Sequence, residues 1–375
     1  MTTPVLDLLQ HQIAARHCPG ALLHVERAGQ VLARHALGRI HPDSDTALHD
    51  AVRFRIASLT KPVVTVAALM LVDDGRLALD VPVGEVLPEL GDMRLADGSR
   101  AAPTVRDLMR HTSGLAYPQE IPDSRLRTTW AAAGLAPSLA GLDGAGLLAK
   151  LAPLPLLNRP GAAFRYGYST DVLGLVVERL EGQPLAAVLQ QRLFQPLGMR
   201  HTNFEVAAEE LPQLASAHAA DAGWHALVAP IGRRQAGLPW MDSGGGGLVS
   251  TLDDYAAFGR MLADGGVVAG SGGGQRLVSE RLFAELSRNQ LADGVDGPGA
   301  YTGAGFGFGL GLAVRHDWGA PAMPCTPGEL TWSGISGTAL FVQPKERWFA
   351  VLMSANMASR MMARMALRRA LAQQA

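Results

Sequence analysis

Residues 58–72 constrain the fold more than any other stretch of this chain. After Ser58-Leu59-Thr60-Lys61-Pro62 the sequence is almost wholly apolar to Val72, and Asp73-Asp74-Gly75 supplies a stop. Proline is tolerated in the first turn of a helix and not in its interior. Pro62 therefore predicts a helix starting at about Ser58. A helix apolar all round belongs at the centre of a folded domain rather than on its surface. Its first turn nevertheless carries Ser58 and Lys61, which share one face at i and i+3. Lys61 is one of only three lysines, with Lys150 and Lys345, among 33 basic residues. Arginine supplies the other positive charges, but it cannot release a proton near neutral pH as lysine can. A positive helix terminus and burial both disfavour an ammonium. A neutral amine beside a serine can take its proton and make it a nucleophile.

The 375 residues are enough for one large domain or two lobes, and 48% hydrophobic with 18% charged residues describes a folded globular protein. A net charge of −1 with both signs interspersed points to no nucleic acid and no anionic membrane as partner. The longest apolar run, 63–72, is too short to span a bilayer, so no membrane insertion is expected. The first residues, Met1-Thr2-Thr3-Pro4-Val5-Leu6-Asp7, show no basic region followed by a long apolar core, and the chain is read as cytoplasmic. Cys18 and Cys325, distant in sequence, are expected to be free and buried.

Apolar spacing predicts a helix over 5–17 and a β-hairpin from 22–26 and 30–37 around Ala28-Gly29. Further helices are predicted over 104–110, 142–151, 170–181 and 185–193. Thr251 is the expected N-cap of another helix over 255–262. Ser243-Gly244-Gly245-Gly246-Gly247 reads as a flexible turn, and 270–274 as a low-complexity loop. Strands are expected over 306–314, 338–343 and 348–353, with a closing helix over 358–374. Gly303, Gly305, Gly307, Gly309 and Gly311 alternate, as in a glycine-rich strand and not a dinucleotide-binding loop. Strands at both ends with helices between predict an α+β architecture. One antiparallel sheet is built from both termini, flanked by helices, with an inserted, mostly helical lobe. The expected division is a sheet domain of 1–86 and 240–375, a helical domain of 87–239, and an active-site cleft between them.

Phe54-Arg55-Ile56-Ala57-Ser58-Leu59-Thr60-Lys61-Pro62 resembles the S-x-x-K motif of the serine β-lactamase and penicillin-binding-protein superfamily, in particular its class C-like branch with the family VIII carboxylesterases. Further boxes follow in order: His111-Thr112-Ser113-Gly114-Leu115, then Pro160-Gly161 leading through Tyr166 to Asp171-Val172-Leu173-Gly174. Gln195-Pro196-Leu197-Gly198-Met199, Gly247-Leu248-Val249-Ser250-Thr251 and Trp332-Ser333-Gly334-Ile335-Ser336-Gly337-Thr338 complete the set. The resemblance runs over about residues 20–355 and implies a β-lactamase-like fold and an acyl-enzyme. It makes Ser58 the nucleophile, Lys61 its proton partner and Tyr166 the tyrosine that shares the base role, with Tyr168 as the competing choice. It also implies an oxyanion hole from the amides of Ser58 and Ile335, the latter on a strand, and a structural role for His111.

Two positions depart from the β-lactamase pattern. The cation that usually opens the third motif is replaced by Trp332, in Trp332-Ser333-Gly334, and the usual asparagine of the second motif by Tyr168. Both changes exchange a polar contact for an apolar wall. With Trp332, Ser333, Gly334 and Tyr168 as substrate-binding residues, the expected substrate is a small neutral ester with a short acyl or aryl group. A β-lactamase or D-aminopeptidase-like amidase and an acyltransferase remain the alternatives. No G-x-S-x-G elbow, H-E-x-x-H or C-x-x-C pair is present, so neither metal nor cofactor is expected.

Overall fold

The computed structural model describes residues 3–136, 139–268 and 274–373. Most of the loop expected over 270–274 lies outside them. A seven-stranded antiparallel sheet organises the chain, in the order β2-β1-β11-β10-β9-β8-β7. Its strands are β1 (Gly20–Arg27), β2 (Gln30–Gly38), β7 (Phe306–Phe308), β8 (Ala313–Arg315), β9 (Leu330–Ser333), β10 (Ala339–Gln343) and β11 (Trp348–Ser354). Two small ribbons lie outside it: β3 (Phe54–Arg55) with β4 (Val249–Ser250), and β5 (Val267–Val268) with β6 (Gln275–Arg276). The sheet joins the two ends of the sequence directly, because β1 pairs with β11 from Ala21 opposite Ser354 to Arg27 opposite Trp348.

The alternation of strand side chains places helices on both faces. Leu352 and Ser354 meet α1 (Thr3–Ala14) and the C-terminal helix Arg360–Ala372. Phe349, of opposite parity, packs against Gly259 on the helix Leu252–Ala263. The β1–β2 turn is the predicted tight one, with Ala28 and Gly29 both at positive φ, as a two-residue turn matching strand twist requires. The 306–314 segment is not one strand. It folds back between β7 and β8, where Gly309 N–H donates to the Leu312 carbonyl and Gly311 sits at φ +80°. Alternating glycines do not distinguish a strand from two half-strands joined by a turn.

The central helix α2 (Thr60–Asp73) is buried along nearly its whole length and packs on the helix Ser169–Glu181. Each fully buried valine or leucine contributes about 1.5–3 kcal/mol. Its start differs from the expected one by a single-turn 3₁₀ segment, Ala57–Leu59, which carries Ser58 just ahead of the α-helix. Other helix starts follow the capping residues. Thr104 and Asp107 form a reciprocal capping box ahead of Val105–Met109, and Thr251 Oγ1 accepts from Asp254 N–H. Cys18 is buried, and burial raises its thiol pKa to about 12; Cys325 is only half-buried, and both are free. Among the described residues no helix is long and apolar enough to cross a membrane.

The C-terminal helix is pinned to the sheet by a buried pair: Arg368 donates to both carboxylate oxygens of Glu329, at 2.9 and 2.6 Å. Glu329→Ala leaves that guanidinium buried and unpaired, which costs about 3–5 kcal/mol. A urea-unfolding midpoint lowered accordingly is the expected result.

Candidate active site

The Ser58–Lys61 pair forms because the 3₁₀ turn and the first turn of α2 are continuous. Ala57 precedes the serine at φ +46°, a left-handed backbone that costs a non-glycine residue about 1–3 kcal/mol. Lys61 is 0% exposed. Its Nζ donates to the Gly245 carbonyl at 2.6 Å, to Ser58 Oγ at 3.3 Å and to the Tyr117 hydroxyl at 3.5 Å. A buried amine is costly unless hydrogen-bonded, and these three oxygens supply its partners. One of those acceptors is the candidate nucleophile.

Two tyrosines from two loops flank this amine. Tyr166 lies with its ring centroid 4.6 Å from Lys61 Nζ and lines the cleft. Tyr117 stands edge-on to it, with ring centroids 5.6 Å apart, and its N–H donates to the Tyr166 carbonyl. Burial holds the Tyr117 hydroxyl well above its ordinary pKa, so it is a neutral donor and acceptor. Sequence reading missed Tyr117. It stands two residues after the His111–Leu115 box and is one of only five tyrosines, a signal of the same kind that singled out Lys61.

Tyr168 behaves differently from expectation. It is fully buried behind Tyr117, its hydroxyl donates to the Leu135 carbonyl at 3.1 Å, and it does not line the cleft. Tyr166 and Tyr168 are two residues apart just ahead of the Ser169–Glu181 helix, and the chain turns so that only the first faces Ser58. His111 is buried with neither ring nitrogen partnered, 4.8 Å from the Tyr166 ring. Burial and the Lys61 charge keep it neutral, far below the ordinary histidine pKa, and it serves as packing under Tyr166.

The third box closes the cleft. Trp332, on β9, meets Tyr166, Tyr301 and Phe308 with ring centroids 5.2–5.8 Å apart, which makes the expected apolar wall. Ser333 and Ile335 line the cleft, but Gly334 does not. A Cβ at Gly334 would sit 2.4 Å from the Ile56 carbonyl. Its lack of a side chain lets the β9–β10 turn approach the Ser58 segment; it does not touch substrate space. Ile335 lies in that turn, not on a strand as expected. Ser58, on the 3₁₀ turn, and Ile335, in the β9–β10 turn, both line the cleft. A buried cation lies behind the third box without lining the cleft. Arg364, buried on the C-terminal helix, donates to Ser333 Oγ at 3.1 Å and to Thr331 Oγ1 at 3.0 Å, and burial lowers its pKa to about 10.

The cleft holds about 510 Å³ and is lined chiefly by apolar groups, among them Leu142, Leu227, Trp240 and Trp332. Among the described residues no cluster of three or more histidine, cysteine or acidic side chains could hold a metal ion.

A family model described as Beta-lactamase matches residues 5–374. The chain belongs to this β-lactamase family. It is 34% identical over 360 residues to Esterase EstB of Burkholderia gladioli, which covers 87% of this chain and 83% of that protein. It is 35% identical over 337 residues to Protein Rv1367c of Mycobacterium tuberculosis, covering 85% and 81%. Among solved structures, EstCE1, described as a hydrolase with promiscuous acyltransferase activity, superposes with a TM-score of 0.84 at 27% identity, covering 98% of this chain and 97% of its own. The β-lactamase-like fold and the affinity to the esterase branch, read first from the ordered boxes, are therefore shown.

Tyr168→Phe removes one buried hydrogen bond and nothing from the cleft. It should cost about 1 kcal/mol of stability and leave kcat and KM for an active substrate within about twofold, as steady-state kinetics beside thermal unfolding would report.

Proposed function

We propose that this protein is a serine carboxylesterase that cleaves small esters with short acyl or aryl groups through an acyl-enzyme on Ser58. The observation that carries the reading is the buried Lys61 amine within reach of Ser58 Oγ, beneath a cleft whose third-motif position is Trp332 and not a cation. The likeness to Esterase EstB and to EstCE1 supports the same reaction class.

In this mechanism Ser58 Oγ attacks the ester carbonyl carbon while its proton passes to Lys61 Nζ. The carbonyl oxygen gathers negative charge and is met by the amides of Ser58 and Ile335, each worth about 3 kcal/mol. The tetrahedral carbon then releases the alkoxide, which is protonated from Lys61 through the tyrosine cluster. A water molecule repeats the sequence on the acyl-serine and frees the acid. Tyr166 is the proposed donor to the leaving oxygen. Tyr117, with its hydroxyl on Lys61, is proposed to hold the amine and relay its proton. Cleft-lining residues come from both 57–58 and 301–361 on one side and 117–142 and 227–239 on the other, which supports a sheet lobe and a helical lobe meeting at the site.

Acyl transfer is a second reading supported by a specific observation: the description of EstCE1 includes that activity. It uses the same acyl-serine with an alcohol or amine in place of water, so product analysis with added acceptor separates the two.

Ser58→Ala should abolish hydrolysis of 4-nitrophenyl acetate and butyrate together with fluorophosphonate labelling; retained turnover would overturn the assignment. Nitrocefin turnover exceeding ester turnover would instead favour a β-lactamase. Tyr166→Phe should lower kcat by about 10²-fold, the size expected for a lost general acid. Tyr117→Phe, which removes only a long contact, should lower it by about tenfold.

A further inference from the structure

The glycine run 244–247 reads from sequence as a flexible turn, yet it is packed tightly against the start of the Ser169–Glu181 helix. A Cβ on Gly244 would lie 2.5 Å from the Thr170 carbonyl, and one on Gly245 would lie 2.3 Å from Asp171 Oδ2. None of these glycines has positive φ, so close approach and not backbone freedom requires them. What they approach is a buried acid. Asp171 Oδ1 accepts from Ser243 Oγ at 2.6 Å and from Gly245 N–H at 2.9 Å. The other end of that residue, the Gly245 carbonyl, accepts from Lys61 Nζ at 2.6 Å.

Asp171 is almost completely buried and, among the described residues, makes no ion pair with arginine or lysine. A buried carboxylate without a counterion is costly. The cation whose field acts on it is Lys61, and that attraction partly offsets the rise in its pKa caused by burial. Further out, Glu120, Arg233 and Arg360 line the cleft; the titratable groups nearest the pair are uncharged. His111 is held neutral, and Tyr117, Tyr168 and Tyr301 are all pushed above the ordinary phenol value. Tyr166 contributes its ring to Lys61. Lys61 and Asp171 are linked through one residue, Gly245, instead of by direct contact.

We propose that Asp171 is a positioning residue for the Ser58–Lys61 pair, acting through Gly245. Its carboxylate fixes the turn so that the Gly245 carbonyl takes one Lys61 proton and aims the amine at Ser58. Its negative charge stabilises the ammonium that forms when Lys61 Nζ takes the Ser58 Oγ proton as the new Oγ–carbon bond is made. The arrangement does for a lysine base what a buried acid does for a histidine base, with a glycine interposed.

The proposal rests on the Ser58–Lys61 chemistry but not on the ester being the substrate, and its test uses both dependences. The rate of fluorophosphonate labelling of Ser58, and kcat/KM for 4-nitrophenyl butyrate, are measured against pH in the intact protein, in Asp171→Asn and in Ser243→Ala. Asparagine keeps an Oδ1 acceptor and loses the charge. Its acid limb should move to lower pH by about one unit, because the ammonium is no longer favoured, and its plateau should fall by about tenfold or more. Ser243→Ala keeps the charge and should keep the limb. Asp171→Glu, which retains charge but displaces the acceptor, should keep the limb and lose plateau rate; if the asparagine variant does not fold, Asp171→Ser carries the same comparison. An unshifted acid limb in a folded, uncharged variant overturns the proposal, whatever happens to the plateau. A protein that labels at Ser58 but turns over no ester would sink the esterase reading and leave this test intact.

Discussion

A lysine side chain removed entirely from water is the constraint around which the site is built. Taking an ammonium out of solvent costs several kcal/mol unless its protons are bound and its charge is balanced. Lys61 meets the first demand with Gly245, Ser58 and Tyr117, drawn from three separate parts of the chain. Each acceptor needs its own support. Ser58 is held on a 3₁₀ turn behind a left-handed Ala57, Tyr117 is stacked edge-on against Tyr166 and Tyr168, and Gly245 is pressed onto the helix that carries Asp171. The apolar length of α2 beneath Lys61 keeps water out.

This arrangement ties chemistry to architecture. The sheet formed by the two chain ends carries Trp332 and Ser333 to the cleft on β9, and the C-terminal helix reaches under the same strand with Arg364. The exchange of the family's third-motif cation for Trp332 made the cleft wall apolar, as the residue type demands. It did not remove positive charge from the neighbourhood, because Arg364 arrives from 32 positions further along the sequence and donates to Ser333. A substitution read along the chain sees the residue that changed; a cation packed behind it is visible only across the packed interior.

The same contrast runs through the smaller elements. Helix starts at Thr104 and Thr251 were legible because a cap is a local hydrogen bond between residues three apart. The β1–β2 turn was legible because two residues must take positive φ. The 306–314 segment was misread, and the 243–247 turn is a turn as expected but a packed one, since glycine alternation and glycine runs have the same local appearance whether they bend, pair or pack. Tyr168 was misplaced as a cleft residue because two positions along an irregular segment carry no periodicity that says which side faces the site.

By itself the sequence determined the reaction class. Serine and lysine three apart at the head of an apolar helix, in a chain nearly without lysine, suggested a serine nucleophile with a lysine partner through local geometry alone. The order of the remaining boxes specified the family and hence the sheet of both termini. Tertiary structure alone decided which tyrosine hydroxyl reaches the amine, which glycine receives its proton and which buried acid stands behind that glycine. Those choices depend on contacts between segments up to 184 positions apart, and the packing that selects among such contacts leaves no periodic trace along the chain.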